Sequence, residues 1–193
     1  MWFESMIDVD ARQEVARQLG PGERLLWAGR PRQGIFLRSA DLMLIPFSLL
    51  WGGFAFFWEY SVVTSNAPFF MSLWGIPFVL IGVYFIVGRF FVDARQRART
   101  FYGLTNERVL IVSGIRRTTV RSLQLRSLSD VALSEWPDGT GTLTFGPVHP
   151  FQTWHAGASW PGLGNQLSPT LESVPSARAV YDSIRAAQRE AAS

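Results

Sequence analysis

LMLIPFSLLWGGFAFFW occupies residues 42–58 without a charged side chain, and FFMSLWGIPFVLIGVYFIVG does the same at residues 69–88. A helix needs about 20 apolar residues to cross the hydrocarbon core of a bilayer, with a usual range of about 17–25. The second stretch meets this requirement easily, and the first meets it at the lower limit. The sequence therefore predicts two membrane-spanning helices, at about 41–60 and 69–91, within a hairpin segment at residues 39–92.

The connection between the two stretches, YSVVTSNAP at residues 60–68, is short enough to make the helices antiparallel. Asn66 and Pro68 are typical turn residues. Four glycines allow the two helices to approach closely. No charged residue lies inside either apolar stretch, 42–58 or 69–88, which argues against an ion path or a proton relay. The four glycines that allow the close approach are Gly52, Gly53, Gly75 and Gly82.

The arginines around the hairpin are distributed asymmetrically. Three precede the first predicted helix, four follow the second, and the connecting loop has none. Positively charged flanks of membrane helices stay in the cytoplasm. The sequence thus predicts a multi-pass membrane protein with both termini in the cytoplasm. The flanking residues are Arg30, Arg32, Arg38, Arg89, Arg95, Arg97 and Arg99.

Composition excludes several function classes. A net charge of +3 is small for a nucleic-acid-binding protein of this length. The chain has no cysteine, and His149 and His155 have no third metal ligand beside them. Neither a phosphate-binding loop nor a Gly-x-Ser-x-Gly elbow is present. We therefore predict no nucleic-acid partner, no metal, no cofactor, no small-molecule substrate and no enzymatic activity.

The segment at residues 1–38 precedes the hairpin and contains an amphipathic pattern at 9–19, which Gly20-Pro21-Gly22 ends. We expect this short helix to pack on the cytoplasmic domain; the alternative is an interfacial or partner-binding helix. GERLLWAGRP follows it as a strand-like run.

The segment at residues 93–193 changes to short strands. TFYGLTNERVLIVSG (100–114) predicts two strands around a turn at Asn106, and Val109–Val112 is apolar on both faces, as in a central strand. Asp138-Gly139 predicts a hairpin turn before GTLTF at 141–145, and 175–190 has helical periodicity. These patterns indicate an antiparallel sheet or open barrel capped by a C-terminal helix.

The order of several motifs in this chain resembles the bacterial pleckstrin-homology-like (PH-like) domain family. Tyr102, Thr105 and Arg108 match its Y-x-x-T-x-x-R opening, and the Leu-rich stretch 125–131 and the Gly139–Gly141 hairpin follow in the expected order. GERLLWAGRP and VPSARAVYDSIRAAQ are similar to its lead segment and its terminal helix. The resemblance covers roughly residues 20–190. It implies an α+β membrane protein: a transmembrane α-hairpin with a cytoplasmic, seven-stranded PH-like antiparallel β-barrel capped by the C-terminal helix.

The family pattern is interrupted at residues 147–170, which are rich in glycine, proline and aromatic residues. We expect this loop to cover an open edge or end of the barrel, with Trp154 or Trp160 facing the membrane or a partner. In the alternative, both rings are buried in the core of the domain.

A chain with few chemical sites and glycine-rich, aromatic-rich helices favours a membrane-anchored scaffold or accessory subunit. It would bind a membrane protein or copies of itself, in contact with the lipid bilayer. The alternative is a domain that senses anionic lipid at the cytoplasmic leaflet through the 116–126 face. The candidate headgroup or partner contacts are Arg89, Arg95, Arg97, Arg99, Arg116, Arg117, Arg121, Arg126, Trp154 and Trp160.

Overall fold

A computed structural model describes residues 2–34, 41–114, 117–128, 130–146 and 169–192, and among these the side chains of residues 9–191. The chain divides into two compact units. The first, which we call the sheet unit, comprises Met1–Gly34, Ala94–His149 and Asn165–Ser193. The second, the hairpin unit, comprises Ile35–Asp93 and Pro150–Gly164.

The sheet unit begins with a helix and a strand, before the chain enters the hairpin unit. The remaining strands and the C-terminal helix come after it. Its elements are α1 (Trp2–Ala16), β1 (Leu25–Gly29), β2 (Thr100–Thr105), β3 (Arg108–Ser113), β4 (Thr119–Gln124), a 3₁₀ turn (Leu125–Ser127), β5 (Val131–Glu135), β6 (Gly141–Phe145), β7 (Thr170–Val174) and α5 (Ala177–Ala192).

The strands form two antiparallel sheets, ordered β1-β2-β3-β4 and β5-β6-β7. Strand β1 precedes the hairpin unit in sequence and pairs directly with β2, which follows it, so that Ala28 lies opposite Gly103 and Gly29 opposite Tyr102. The hairpin unit is therefore inserted between two neighbouring strands of one sheet.

The predicted α+β class, the antiparallel strands and the C-terminal helix are confirmed, but the seven-stranded barrel that the family resemblance implied is wrong. Among the described residues, the strands form two open sheets. The first sheet ends at β4 because the chain turns there into the 3₁₀ segment Leu125–Ser127 rather than pairing with β5. After the end of β1, the backbone N–H of Arg32 donates to the carbonyl of Ser173 in β7, at 2.7 Å.

The main core lies between the two sheets and α5. Strand β6 buries Gly141, Leu143 and Phe145 and leaves the intervening threonines partly exposed, as the alternation predicted. Helix α5 contributes one apolar stripe, whose spacing of three and four residues brings every member to the same face. The stripe comprises Ala177, Val180, Ile184 and Ala187, all of which are buried.

Helix α1 covers the other face of the first sheet. Ala11 and Val15 pack against Ala28 and Leu110 in a second, smaller cluster. Gly103 permits this approach, because a methyl group on its Cα would collide with Cγ1 of Val15. The predicted central strand is confirmed, since β3 is buried from Val109 to Val112, and so is packing of the N-terminal helix on the domain.

The hairpin unit contains α2 (Asp41–Thr64) and α3 (Phe69–Val83), followed by a π-helical turn (Tyr84–Gly88) and the first half of α4 (Arg89–Ala98), which belongs to the sheet unit from Ala94 onward. Residues 69–98 form one continuous helical run of 30 residues. By length and composition, both α2 and this 30-residue run are long and apolar enough to cross a membrane. Helix α2 ends at Thr64, beyond its predicted end at about 60, and the second run ends at Ala98, beyond its predicted end at about 91. Asn66 takes a positive φ of 53° in the intervening turn, as expected of the predicted turn residue.

Small residues form the contact between α2 and α3. Ser48, Gly52 and Ala55 are buried on α2, and Gly75 and Gly82 on α3. A methyl group at position 82 would lie 3.0 Å from the Cα of Gly52, so the two backbones nearly touch there. Three of the four predicted contact glycines are thus confirmed. The prediction is wrong for Gly53, whose Cα faces open space.

Candidate functional site

Three of the predicted contact arginines bind other parts of the chain. Arg97 is buried, and its Nη2 donates to the carbonyl of Gly34 at 2.7 Å. Arg89 lies 3.1 Å from Asp41, and its guanidinium lies over the ring of Phe90, 4.6 Å from the centroid. Arg126 is exposed, but its Nε donates to the carbonyl of Ala191 at 2.8 Å. These contacts reduce the number of guanidinium donors that face outward.

The remaining predicted arginines lie at or just after the end of α4, just before β4 and on β4. Arg95, Arg99 and Arg117 are exposed, and Arg121 is half-buried on β4. Arg117 precedes β4 and Arg126 follows it, so the length of the strand, about 17 Å, separates them. Residues Arg116, Trp154 and Trp160 lie outside the described part of the chain.

The densest polar cluster of the sheet unit surrounds Glu23, whose side chain is only 2% exposed. Arg108 binds it with two parallel hydrogen bonds: Nε donates to Oε1 and Nη2 to Oε2, both at 2.8 Å. The hydroxyl of Thr105 and the backbone N–H of Gly20 each donate to the same carboxylate at 2.7 Å. The Arg108 hydrogen bonds, which outweigh the opposing effect of burial, lower the pKa of Glu23 from 4.5 to about 2. The carboxylate raises the pKa of Arg108 in turn.

This cluster connects the chain before the hairpin to the turn between β2 and β3. Nη2 of Arg108 also donates to the carbonyl of Gln18 at 3.1 Å. Tyr102 acts in the same way elsewhere: its hydroxyl accepts from the N–H of Glu172 at 3.0 Å, which connects β2 to β7. Residues Tyr102, Thr105 and Arg108 are the three positions of the Y-x-x-T-x-x-R motif, so in this chain the motif holds the fold together. The sequence analysis noted the motif and Glu23 separately and missed their pairing.

A second feature that the sequence analysis missed is the exposed tryptophan in the turn between β5 and β6. Trp136 is 57% exposed at the start of this turn. Asp138 accepts from the hydroxyl and the backbone N–H of Thr140, at 2.6 and 3.0 Å, and these bonds lower its pKa. Gly139 follows with a φ of 78°, a conformation that favours glycine. The sequence indicated the turn, but not that it displays a tryptophan.

Glu59 is the third such feature, and it lies in the hairpin unit. It directly follows the charge-free stretch 42–58, and because α2 continues to Thr64, this charged residue lies inside the helix. Its Oε2 is buried and has no hydrogen-bond partner among the described residues. Gly75 leaves the space it occupies, since a methyl group there would collide with that oxygen.

Within the described part of the chain, no group of three His, Asp or Glu residues is close enough to hold a metal ion.

In a comparison with protein families, the model of the bacterial PH domain family matches residues 35–188. Comparison with curated proteins and with solved structures finds no match.

Proposed function

The chain belongs to the bacterial PH domain family, and from this premise we propose that it is a membrane-anchored scaffold or accessory subunit that binds another membrane protein or a second copy of itself. PH-like domains are generally non-catalytic modules that bind protein or lipid. The proposal adds a location, which is the bacterial inner membrane, and a choice of protein as the partner.

The pairing of β1 with β2 supports this location. These strands flank the hairpin unit in sequence and are hydrogen-bonded neighbours in one sheet. If α2 and the run from Phe69 to Ala98 cross a membrane, both flanks must therefore lie on the same side. The arginines on both flanks, and their absence from the connecting loop, favour the cytoplasmic side.

The observation that carries the choice of a protein partner is the surface of the hairpin unit. Helices α2 and α3 bury small residues against each other and expose large ones, including Phe57 at 68% and Trp74 at 70%. Lipid covers such side chains, and so do the helices of another membrane protein. Gly53 adds a point on this exposed side where a second backbone could approach closely.

Extraction of the full chain in mild detergent, followed by mass determination, tests the proposal. We expect a complex of defined stoichiometry, with itself or with a second protein. Gly53→Leu should weaken that complex because the added side chain occupies the open space on α2. The matched control, Val63→Leu, enlarges an exposed residue near the end of the same helix and should leave the complex intact. A strictly monomeric chain with no co-purifying protein in several detergents would refute the scaffold.

The alternative function is sensing of anionic lipid. Arg117, exposed in the turn before β4, is the observation that favours it. In that case the purified full chain should retain anionic lipid, and an Arg116→Gln/Arg117→Gln variant should retain less. Arg24→Gln is the control. Arg24 is an exposed arginine just before β1, and its backbone N–H donates to Oδ1 of Asn106 in the turn between β2 and β3. Equal lipid retention by all three proteins would exclude a specific site at the β3–β4 turn.

A further inference from the structure

The turn between β5 and β6 lies close to the last residues of the sheet unit that precede the hairpin unit in the sequence. Gly34 is the last residue of the sheet unit before the chain departs for the hairpin unit. Two residues earlier, Nη1 of Arg32 contacts Oδ2 of Asp138 at 2.6 Å. Where the chain returns, Nη2 of Arg97 donates to the carbonyl of Gly34. The turn is thus part of the same end of the sheet unit as the points of departure and return.

Trp136 stands out at this end. Trp27, the other tryptophan of the sheet unit whose side chain the structure describes, packs against the main core. Trp136 is instead 57% exposed, and Pro137 beside it is exposed as well. A large apolar ring left in water forgoes the free energy of burial.

The acidic residues beside Trp136 are neutralised within the chain. Glu135 lies 3.0 Å from Nε of Arg178, and Asp138 is paired with Arg32. Without these pairs, two carboxylates next to the ring would be repelled by an anionic lipid surface. With them, the ring and its proline stand between two ion pairs and can approach such a surface.

The turn is also rigidly held. Backbone N–H groups of Trp136 and Gly139 donate to the carbonyls of Thr140 and Trp136, at 2.8 and 2.9 Å. The N–H of Ala177, at the start of α5, donates to the carbonyl of Gly139 at 3.1 Å. The position of Trp136 is therefore determined by the fold of the sheet unit, and ordering it on contact would cost little entropy.

We propose that Trp136 inserts into the headgroup region of the membrane that α2 and α3 cross, and that it holds this end of the sheet unit against the lipid surface. Indole suits that region, because its ring is apolar and its N–H needs a polar partner. This proposal rests on the membrane location proposed above. It assigns the turn to lipid and leaves the other surfaces of the sheet unit for a protein partner.

The lack of native cysteine makes the test direct. The full chain carrying Trp136→Cys is labelled with an environment-sensitive fluorophore and placed in nanodiscs of phosphatidylcholine and phosphatidylglycerol that contain headgroup-level quencher lipids. Gln124→Cys is the matched control, exposed at the opposite end of β4 from the β3–β4 turn. We expect quenching at position 136 to exceed that at position 124 by about twofold or more, as for a side chain at the interface.

Native tryptophan provides a second measurement that does not depend on the label. Brominated lipids should quench the intrinsic fluorescence of the wild-type chain more than that of Trp136→Phe, and the difference spectrum should be that of an interfacial indole. Equal quenching at positions 136 and 124, or no difference between wild type and Trp136→Phe, would overturn the proposal.

Incorporation into the nanodiscs is scored separately. If the chain stays outside the discs, the membrane location fails, and the role of Trp136 fails with it. If the chain enters the discs and position 136 is not quenched, only the role of Trp136 fails. The last measurement uses nanodiscs that contain zwitterionic phosphatidylcholine alone. If position 136 is still quenched in these discs, Trp136 contacts the interface without needing anionic headgroups.

Discussion

The two units of this chain arrange large and small side chains in opposite ways. The sheet unit buries large residues such as Leu143 and Ile184 completely. The hairpin unit buries Gly52, Ala55 and Gly82 and exposes most of its phenylalanines and the tryptophans that the structure describes there. This difference is the one expected if the hairpin unit lies in lipid, as proposed above. In water, removing apolar area from solvent drives packing, whereas in lipid that gain is absent and close contact between backbones takes its place.

Buried carboxylates differ in the same way. Glu23 in the sheet unit accepts hydrogen bonds from Arg108, Thr105 and Gly20. Glu59 in the hairpin unit has a buried oxygen without a hydrogen-bond partner among the described residues. A buried charge is stable only where donors surround it, so the two glutamates should respond very differently to substitution.

The strongest test of the comparison separates the units. Residues 1–34 joined to residues 94–193 by a short glycine-serine linker should give a folded, soluble protein, because Gly34 and Arg97 are already in contact. A fragment of residues 100–193 should not fold cooperatively, since it lacks β1, α1 and Glu23. Thermal unfolding followed by circular dichroism distinguishes the two proteins. A fragment that melts as high as the joined protein would show that the N-terminal segment is dispensable.

Arg108→Ala should have the next largest effect. It leaves Glu23 buried without its main counter-charge, and breaking a buried pair in this way costs about 3–5 kcal/mol. Urea unfolding of the joined protein measures the loss. Arg24→Ala, which removes an exposed arginine next to Glu23 in sequence, is the control and should change little. A loss below about 1 kcal/mol, as is typical of surface pairs, would mean that the cluster does not hold the fold.

Acid should weaken the sheet unit through the same cluster. The pKa of Glu23 is about 2 in the folded chain and 4.5 ordinarily. The stabilisation is therefore present above pH 4.5 and is lost as the pH falls from about 4.5 toward 2. Urea midpoints measured across this range should fall more steeply for the wild type than for Glu23→Gln. Parallel curves for the two proteins would contradict the assignment.

Gly82→Ala should loosen the contact between α2 and α3. The added methyl group would lie 3.0 Å from the backbone of Gly52, and overpacking of this kind costs about 1–3 kcal/mol. Hydrogen–deuterium exchange of the full chain in detergent should show faster exchange in both helices. Gly53→Ala, where the added methyl group meets open space, should leave exchange unchanged. Identical behaviour of the two variants would refute the small-residue contact.

Arg178→Ala should have the smallest effect on stability. Its side chain is 68% exposed, and exposed ion pairs contribute about 0–1 kcal/mol. The urea midpoint of the joined protein should therefore barely move. A large loss would show that the pair with Glu135 supports the β5–β6 turn more strongly than its exposure indicates.

Local patterns in the sequence were sufficient to predict most elements. The apolar stretches at 42–58 and 69–88, the alternation in GTLTF and the spacing of Val180 and Ile184 each report on their own neighbours in the chain. Helical and strand periodicity are local properties, so they can be recognised without knowing what an element packs against. The family resemblance added the order of the motifs.

Contacts between distant residues were beyond such patterns. Nothing in TFYGLTNER shows that Arg108 binds Glu23, which lies 85 positions earlier. Contacts between residues far apart in the sequence also decide three other features: the open pair of sheets, the insertion of the hairpin between β1 and β2, and the display of Trp136.

Local periodicity along the chain specifies two apolar helices, a set of antiparallel strands and a terminal helix. The contacts of the folded chain are needed to see that β1 pairs with a strand that follows the hairpin in sequence, which glycines touch, and which arginines remain exposed. Pairing, burial and ion-pair partners depend on distances through space, and the order of residues along the chain does not contain them.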